Sequence, residues 1–146
     1  MQNDKGSGLD NRKIGVVQKV IIVNVENKIL TMRRSATAPN RSLLWDLPGG
    51  ELEFGEEALN SILREIKEEV NLEVEDVKVF DVFSGINRKE EFWITICYVA
   101  KAKTNEVVLS FEHDQYQWLT CDEFLKLESD LKYIQFITKF KQEYYD

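Results

Sequence analysis

The sequence predicts an α/β domain in which a mixed β-sheet is packed between α-helices (α/β/α). Three observations carry that expectation. Segments rich in Val and Ile lie on both sides of one strongly amphipathic segment of helical period. A second amphipathic segment closes the chain. The length of 146 residues, with 43% hydrophobic side chains, provides for a single domain with a real core.

Taken in order, residues 1–12 hold Gly6, Gly8 and polar side chains without periodicity and read as a flexible tail, leaving 13–146 as the folded domain. Residues 16–25 read as a strand, 26–28 as a turn and 29–33 as the returning strand. Residues 35–42, with Pro39 and Asn40, form a loop. The run Trp45-Asp46-Leu47-Pro48-Gly49-Gly50 then forces an unusual backbone path, because one proline and two glycines follow each other. Residues 56–70 form the clearest helix: Leu59, Ile62, Leu63, Ile66 and Val70 follow the spacing of one buried stripe. Asn71 occupies the position after it, where a left-handed residue is wanted. Residues 77–83 and 92–102 are two further strands, and 107–109 and 116–119 are shorter ones. Thr120-Cys-Asp-Glu123 has the form of a capping box and opens a short helix. Leu131, Ile134, Ile137 and Phe140 mark the closing helix.

Composition excludes several classes of function. There are 19 Lys and Arg against 26 Asp and Glu, so 19 − 26 gives a net charge of −7. Neutralising a phosphate backbone takes clustered basic residues, so no nucleic-acid polymer is expected as partner. No apolar run approaches the roughly 18 residues that span a bilayer, and the polar start fits neither a signal peptide nor a lipid anchor. The expectation is a soluble, cytoplasmic protein with no membrane partner. Cys97, Cys121 and the single His113 make neither a disulfide framework nor a zinc site.

Chemistry concentrates on the helix over 56–70. At about 100° per residue, Glu65, Glu68 and Glu69 gather on one side, spaced i, i+3 and i+4, with their carboxylates directed into one shared volume. Like charges at that spacing disfavour a helix, and all three stand near its C-terminal end, where the dipole opposes negative charge. A divalent cation reverses the balance, and hard oxygen donors of this kind suit Mg²⁺ or Mn²⁺. The acids alone fit equally a solvated Glu-rich face softened by Lys67.

The wider pattern separates the two. Gly50, five residues, Glu56, seven residues, Arg64-Glu65-Ile66, one residue, Glu68-Glu69, one residue, Asn71-Leu72 resembles the 23-residue Nudix box, G-x5-E-x7-R-E-U-x-E-E-x-G-U with U a bulky aliphatic. The one departure is Asn71 in place of Gly, and Asn also tolerates the left-handed backbone. The resemblance implies the Nudix fold and a Mg²⁺-dependent hydrolase that cleaves a diphosphate linkage in a small nucleotide. It places the metal ligands at Glu65, Glu68, Glu69 and the Gly49 carbonyl. Arg64 and Glu56 would orient those acids through hydrogen bonds. The metal would relieve the repulsion between a phosphate anion and its attacker and make water a better nucleophile. Glu69, or Glu112 or Asp114 from the later acidic loop, would serve as general base. The loop acids fit equally the ordinary polarity of a surface loop, and His113 beside them reads as a solvated side chain.

Recognition of the remaining substrate has several candidates. Arg33, Arg34 and Arg41 flank the loop before the box, and strand alternation lets at most one of Arg33 and Arg34 reach the cleft. Trp45, Phe83, Tyr116 and Trp118 offer aromatic faces for a base, whereas Trp93 and Tyr98 read as structural. The compact length and the Trp45-to-Gly50 run look most like the small MutT-like enzymes that convert a nucleoside triphosphate to a monophosphate and pyrophosphate. Cleavage of ADP-ribose, a nucleotide sugar or a dinucleoside polyphosphate is the alternative. A rival of another class is an inactive nucleotide-sensing Nudix module, and the resemblance also admits a homodimer.

Overall fold

The computed structural model describes residues 13–145; the tail expected over 1–12 lies outside the described residues. In chain order the elements are β1 (Ile14–Val23), β2 (Ile29–Arg34), β3 (Trp45–Asp46), β4 (Gly49–Glu51), α1 (Ala58–Val70), β5 (Val74–Ile86), β6 (Phe92–Ala102), β7 (His113–Leu119), α2 (Cys121–Phe124) and α3 (Leu131–Tyr145).

The strands form one mixed sheet in the order β3-β2-β1-β6-β5, with β4 pairing β1 and β7 pairing β2. β1 runs parallel to β6 from Ile14↔Phe92 to Val23↔Lys101. Both of its faces are covered, which explains its nearly continuous apolar run. Val20 and Ile22 face α1, together with Leu30, Met32, Ile62, Ile66 and Val70. Ile21 faces α3, together with Leu47, Val99, Tyr133, Phe136, Ile137 and Phe140. The two clusters are the two layers of an α/β/α core, divided by the period of two along β1.

β1 and β2 leave their turn paired at Val23↔Ile29 and then separate. The segment 45–51 fills the opening: Trp45 and Asp46 pair with β2, while Gly49, Gly50 and Glu51 pair with β1. The unusual path imposed by Pro48 and the two glycines is therefore a crossing from one strand to the other.

Several local expectations need adjustment. α1 begins at Ala58, not at residue 56, because the Glu57 side chain caps it by accepting from the amides of Leu59 and Asn60. Leu59 and Leu63 stay 43% and 39% exposed, so the buried stripe narrows to Ile62, Ile66 and Val70. In α3 the stripe is rotated: Tyr133, Phe136, Ile137 and Phe140 are buried and Leu131 is exposed. Residues 107–109 are not a strand. The Val108 and Ser110 amides donate to the carbonyls of Val70 and Glu69, so this segment closes the end of α1 instead. Asn71 is left-handed at φ 54°, ψ 37°, and its amide caps Ile66 and Lys67. The capping box at Thr120 and Glu123 forms with both reciprocal hydrogen bonds.

Candidate active site

The site is built where the 45–51 crossing meets the face of α1. Gly49 holds φ 144°, and a Cβ there would strike the Gln18 carbonyl of β1. At Gly50 the demand is space: a Cβ would run into the Glu65 carboxylate. The two glycines thus let the backbone lie directly against the acids of the helix. The Gly49 amide donates to Glu69 Oε1 at 3.0 Å, fixing that carboxylate on the loop.

Glu69 is only 8% exposed. Burial pushes its carboxyl up to about 8, opposed by Lys19 and the Gly49 amide and reinforced by Asp46 and Glu65. Glu65 is also raised, first by burial, then by Glu68 and Glu112, against the pull of Arg64. The three acids share a helix face as expected, and each carboxylate has its own nearest neighbour. Glu69 turns to the Gly49 amide, Glu65 lies against Gly50, and Glu68 reaches outward to Arg64 Nη1 at 3.0 Å. Glu69 and Glu68 each accept a hydrogen bond, while Glu65 lies 3.8 Å from the same Arg64 nitrogen that Glu68 accepts from. Among the described residues no cluster of His, Cys, Asp or Glu closes as a preformed metal cage.

Arg64 is the organiser of the outer acids. Its guanidinium donates to Glu56 Oε2 at 2.8 Å and to Glu68 Oε1, and lies 3.8 Å from Glu65. Glu56 in turn accepts from the Glu53 amide at 2.7 Å and from Ser61 Oγ at 3.3 Å. The Glu53 amide and Arg64 hold its carboxyl below the usual range. Loop and helix are thereby tied through two side chains that lie eight positions apart.

The basic and acidic residues around the cleft divide clearly. Arg33 and Asp114 form a two-pronged pair at 2.9 and 2.8 Å. That guanidinium holds the Asp114 carboxyl below its ordinary value, so Asp114 is a poor proton acceptor. Arg34 donates to the Asn40 carbonyl at 2.9 Å and stands 4.0 Å from Asp46. Arg41 pairs with Asp130, away from this group. Arg34, Ser35, Thr37, Pro39, Phe111 and Glu112 line a shallow cleft that opens to solvent.

The aromatic candidates fare unevenly. Trp118 packs against the core cluster on the α1 side and Phe83 against the one on the α3 side. The Trp45 backbone is stitched to β2 and to Glu128, while its side chain is half-buried. Tyr116 is 39% exposed. Trp93 covers Gly15, and Tyr98 donates to Gln18 at 2.6 Å, both structural as expected. The residue missed is Phe111, 90% exposed at the cleft, hidden in a segment read only for its acids. His113 is not solvated: it opens β7, is 6% exposed, and its Nε2 lies 3.5 Å from Asp46 Oδ2.

A family model described as the NUDIX domain matches residues 14–140. The chain belongs to the Nudix family. It is 27% identical over 101 residues to the uncharacterized Nudix hydrolase YvcI of Bacillus subtilis, covering 66% of this chain and 61% of that protein. It is 34% identical over 92 residues to the asymmetrical bis(5'-nucleosyl)-tetraphosphatase of Sus scrofa, covering 57% of this chain and 60% of that protein. The match spans less than two thirds of either relative's length. Among solved Nudix structures, a MutT protein from Methanosarcina mazei Go1 shares the fold, with a TM-score of 0.79 over 93% of this chain and 99% of that one, at 24% identity. No helix among the described residues is long and apolar enough to cross a membrane.

The Nudix donor set fits a hard divalent cation. Three carboxylates stand within about one helical turn, beside a backbone held close by two glycines. Glu68 is exposed, so it can leave Arg64 without disturbing the core.

Proposed function

We propose that this Nudix protein is a Mg²⁺-dependent hydrolase of a phosphoanhydride bond in a small nucleotide, with a nucleoside triphosphate as the leading substrate and a monophosphate and pyrophosphate as products. The observation that carries the reading is the Gly49–Glu69 contact beside Glu65 and Glu68, a dipole-opposed acid cluster set against a glycine loop. Glu65, Glu68, Glu69 and the Gly49 carbonyl would hold the cation, with Mn²⁺ as a substitute. When bound, it supplies charge neutralisation and a more acidic water.

The chain's own groups divide the remaining work. Arg64 and Glu56 orient the outer acids. Arg34 faces the cleft with a positive charge for the phosphate chain, while Arg33 is occupied by Asp114. Phe111 offers an open ring for a base, and Glu112 on the same cleft, whose charge also acts on Glu65, is the carboxylate we assign to accept the water proton. As the new P–O bond forms, the anhydride P–O bond breaks and its electron pair leaves with the departing phosphate group.

The similarity to bis(5'-nucleosyl)-tetraphosphatases supports a second substrate class, dinucleoside polyphosphates. A panel of nucleoside triphosphates, dinucleoside polyphosphates, ADP-ribose and nucleotide sugars, with phosphate and pyrophosphate read separately, distinguishes them. Pyrophosphate from a triphosphate supports the leading reading. Turnover confined to a tetraphosphate moves the chain to the second, and nucleotide binding without turnover supports the sensing module.

A further inference from the structure

Behind the glycine loop, on the side covered by α3, lies a charged group that the hydrolytic reading leaves unused. Lys19 interrupts the apolar run of β1 and is 8% exposed. Its ammonium donates to Asp46 Oδ1 at 3.1 Å and to the Leu47 carbonyl at 3.0 Å. Asp46 Oδ1 also accepts from the Leu47 amide at 2.7 Å. The other Asp46 oxygen faces His113 at 3.5 Å and Arg34 at 4.0 Å. The Tyr133 ring of α3 lies 5.8 Å from the Lys19 nitrogen.

These contacts fall on one stretch of backbone. Asp46 and Leu47 are held by the Lys19 ammonium, Pro48 accepts from the Val20 amide at 3.0 Å, and Gly49 pairs with Lys19 itself. The next link is the Gly49 amide on Glu69. A buried lysine–carboxylate pair is a poor source of stability, since apolar residues of similar size serve as well or better. Its presence here calls for another role, and both hydrogen bonds of the Lys19 ammonium end on the loop that meets the α1 acids.

We infer that Lys19, with Asp46 as its counter-ion, is a positioning residue that locks the 46–49 backbone, so that Gly49 and Glu69 keep the mutual placement needed to bind a divalent cation. The inference rests on the metal-dependent reading above. Unlike Arg64, which orients the acids from the helix side, Lys19 acts from the sheet and touches no acid of the helix among its hydrogen bonds.

The test is the double variant Lys19→Met/Asp46→Leu, which removes both charges together and leaves neither unpaired. Mn²⁺ binding is measured on the protein alone by electron paramagnetic resonance, alongside circular dichroism and thermal unfolding. The expected result is a folded protein whose Mn²⁺ dissociation constant rises about 10- to 100-fold. At saturating metal its KM should match wild type. A folded double variant that binds Mn²⁺ like wild type overturns the inference while leaving the metal reading intact. Wild-type protein that binds no Mn²⁺ overturns both. If the double variant does not fold, Asp46→Asn carries the same test, because it keeps the volume and one acceptor: weaker Mn²⁺ binding supports the inference and unchanged binding overturns it.

Discussion

The Gly49 amide donates to Glu69 Oε1 across 3.0 Å, and the carboxylate it holds is almost wholly buried. Burial outweighs its one cationic neighbour, Lys19, and its one amide donor, and the acids Asp46 and Glu65 add to it, so its carboxyl is pushed up to about 8. The folded value lies above the unfolded one, so folding favours the protonated form. That contribution is complete below about pH 4.5 and is lost as pH rises through about 8. In chelator, the unfolding temperature should therefore fall between about pH 5 and 8, with Glu69 contributing on the order of a few kcal/mol. Thermal melts across that range, repeated with Glu69→Gln, check this. The variant should show the flatter profile, and two parallel profiles would contradict the assignment.

Gly50 makes a sterically distinct prediction. Its Cβ would occupy the place of the Glu65 carboxylate, whereas its φ lies outside the left-handed region. Gly50→Ala should displace Glu65 and weaken Mn²⁺ binding roughly tenfold, at a stability cost of about 1 kcal/mol. Calorimetric titration with Mn²⁺ and a denaturant melt read the two effects separately.

Glu112 and Asp114 should separate as catalytic candidates. Asp114 is committed to Arg33, while Glu112 lines the cleft. Glu112→Gln should lower kcat about 10²- to 10⁴-fold with Mn²⁺ affinity unchanged, as expected for loss of a general base. Asp114→Asn should lower kcat less than tenfold. The reverse order in steady-state kinetics would transfer the role to Asp114.

Phe111 should act on recognition alone. Removing an open stacking face costs about 1 kcal/mol or somewhat more. Phe111→Ala should raise KM for a nucleotide several-fold, yet leave hydrolysis of inorganic triphosphate unchanged. An equal effect on both substrates would place Phe111 outside the base site.

What the sequence revealed follows the range of the interactions concerned. The Ile62, Ile66 and Val70 part of the α1 stripe, the left-handed Asn71 and the Thr120–Glu123 capping box depend on neighbours within one or two turns and are present, whereas Leu59 and Leu63 of the expected stripe are exposed. Periodicity placed Glu65, Glu68 and Glu69 on one face. It carries no rotamer information, so the outward turn of Glu68 to Arg64 could not be read from it. The Arg33–Asp114 pair joins residues 81 positions apart and depends on β2 lying beside β7. Residues 107–109 have the composition of a strand, but the open carbonyls at the end of α1 draw their amides away from the sheet. Lys19 had a visible signal, a lone charge within an apolar strand, whose partner Asp46 became evident only once the 45–51 crossing was in place.

In the proposed reaction the α1 acids would hold the cation on which hydrolysis depends. The most direct measurement is nucleotide turnover as Mg²⁺ is added to chelator-stripped protein, for wild type and Glu68→Gln. Glu68 is 58% exposed at its side chain, so the substitution should leave the fold within about 0.5 kcal/mol of wild type. The protein should show no turnover without metal and saturable activation as Mg²⁺ is added, with the variant slower by orders of magnitude at every Mg²⁺ concentration. Full turnover in chelator, or a Glu68→Gln protein that responds to Mg²⁺ as the wild type does, would contradict this.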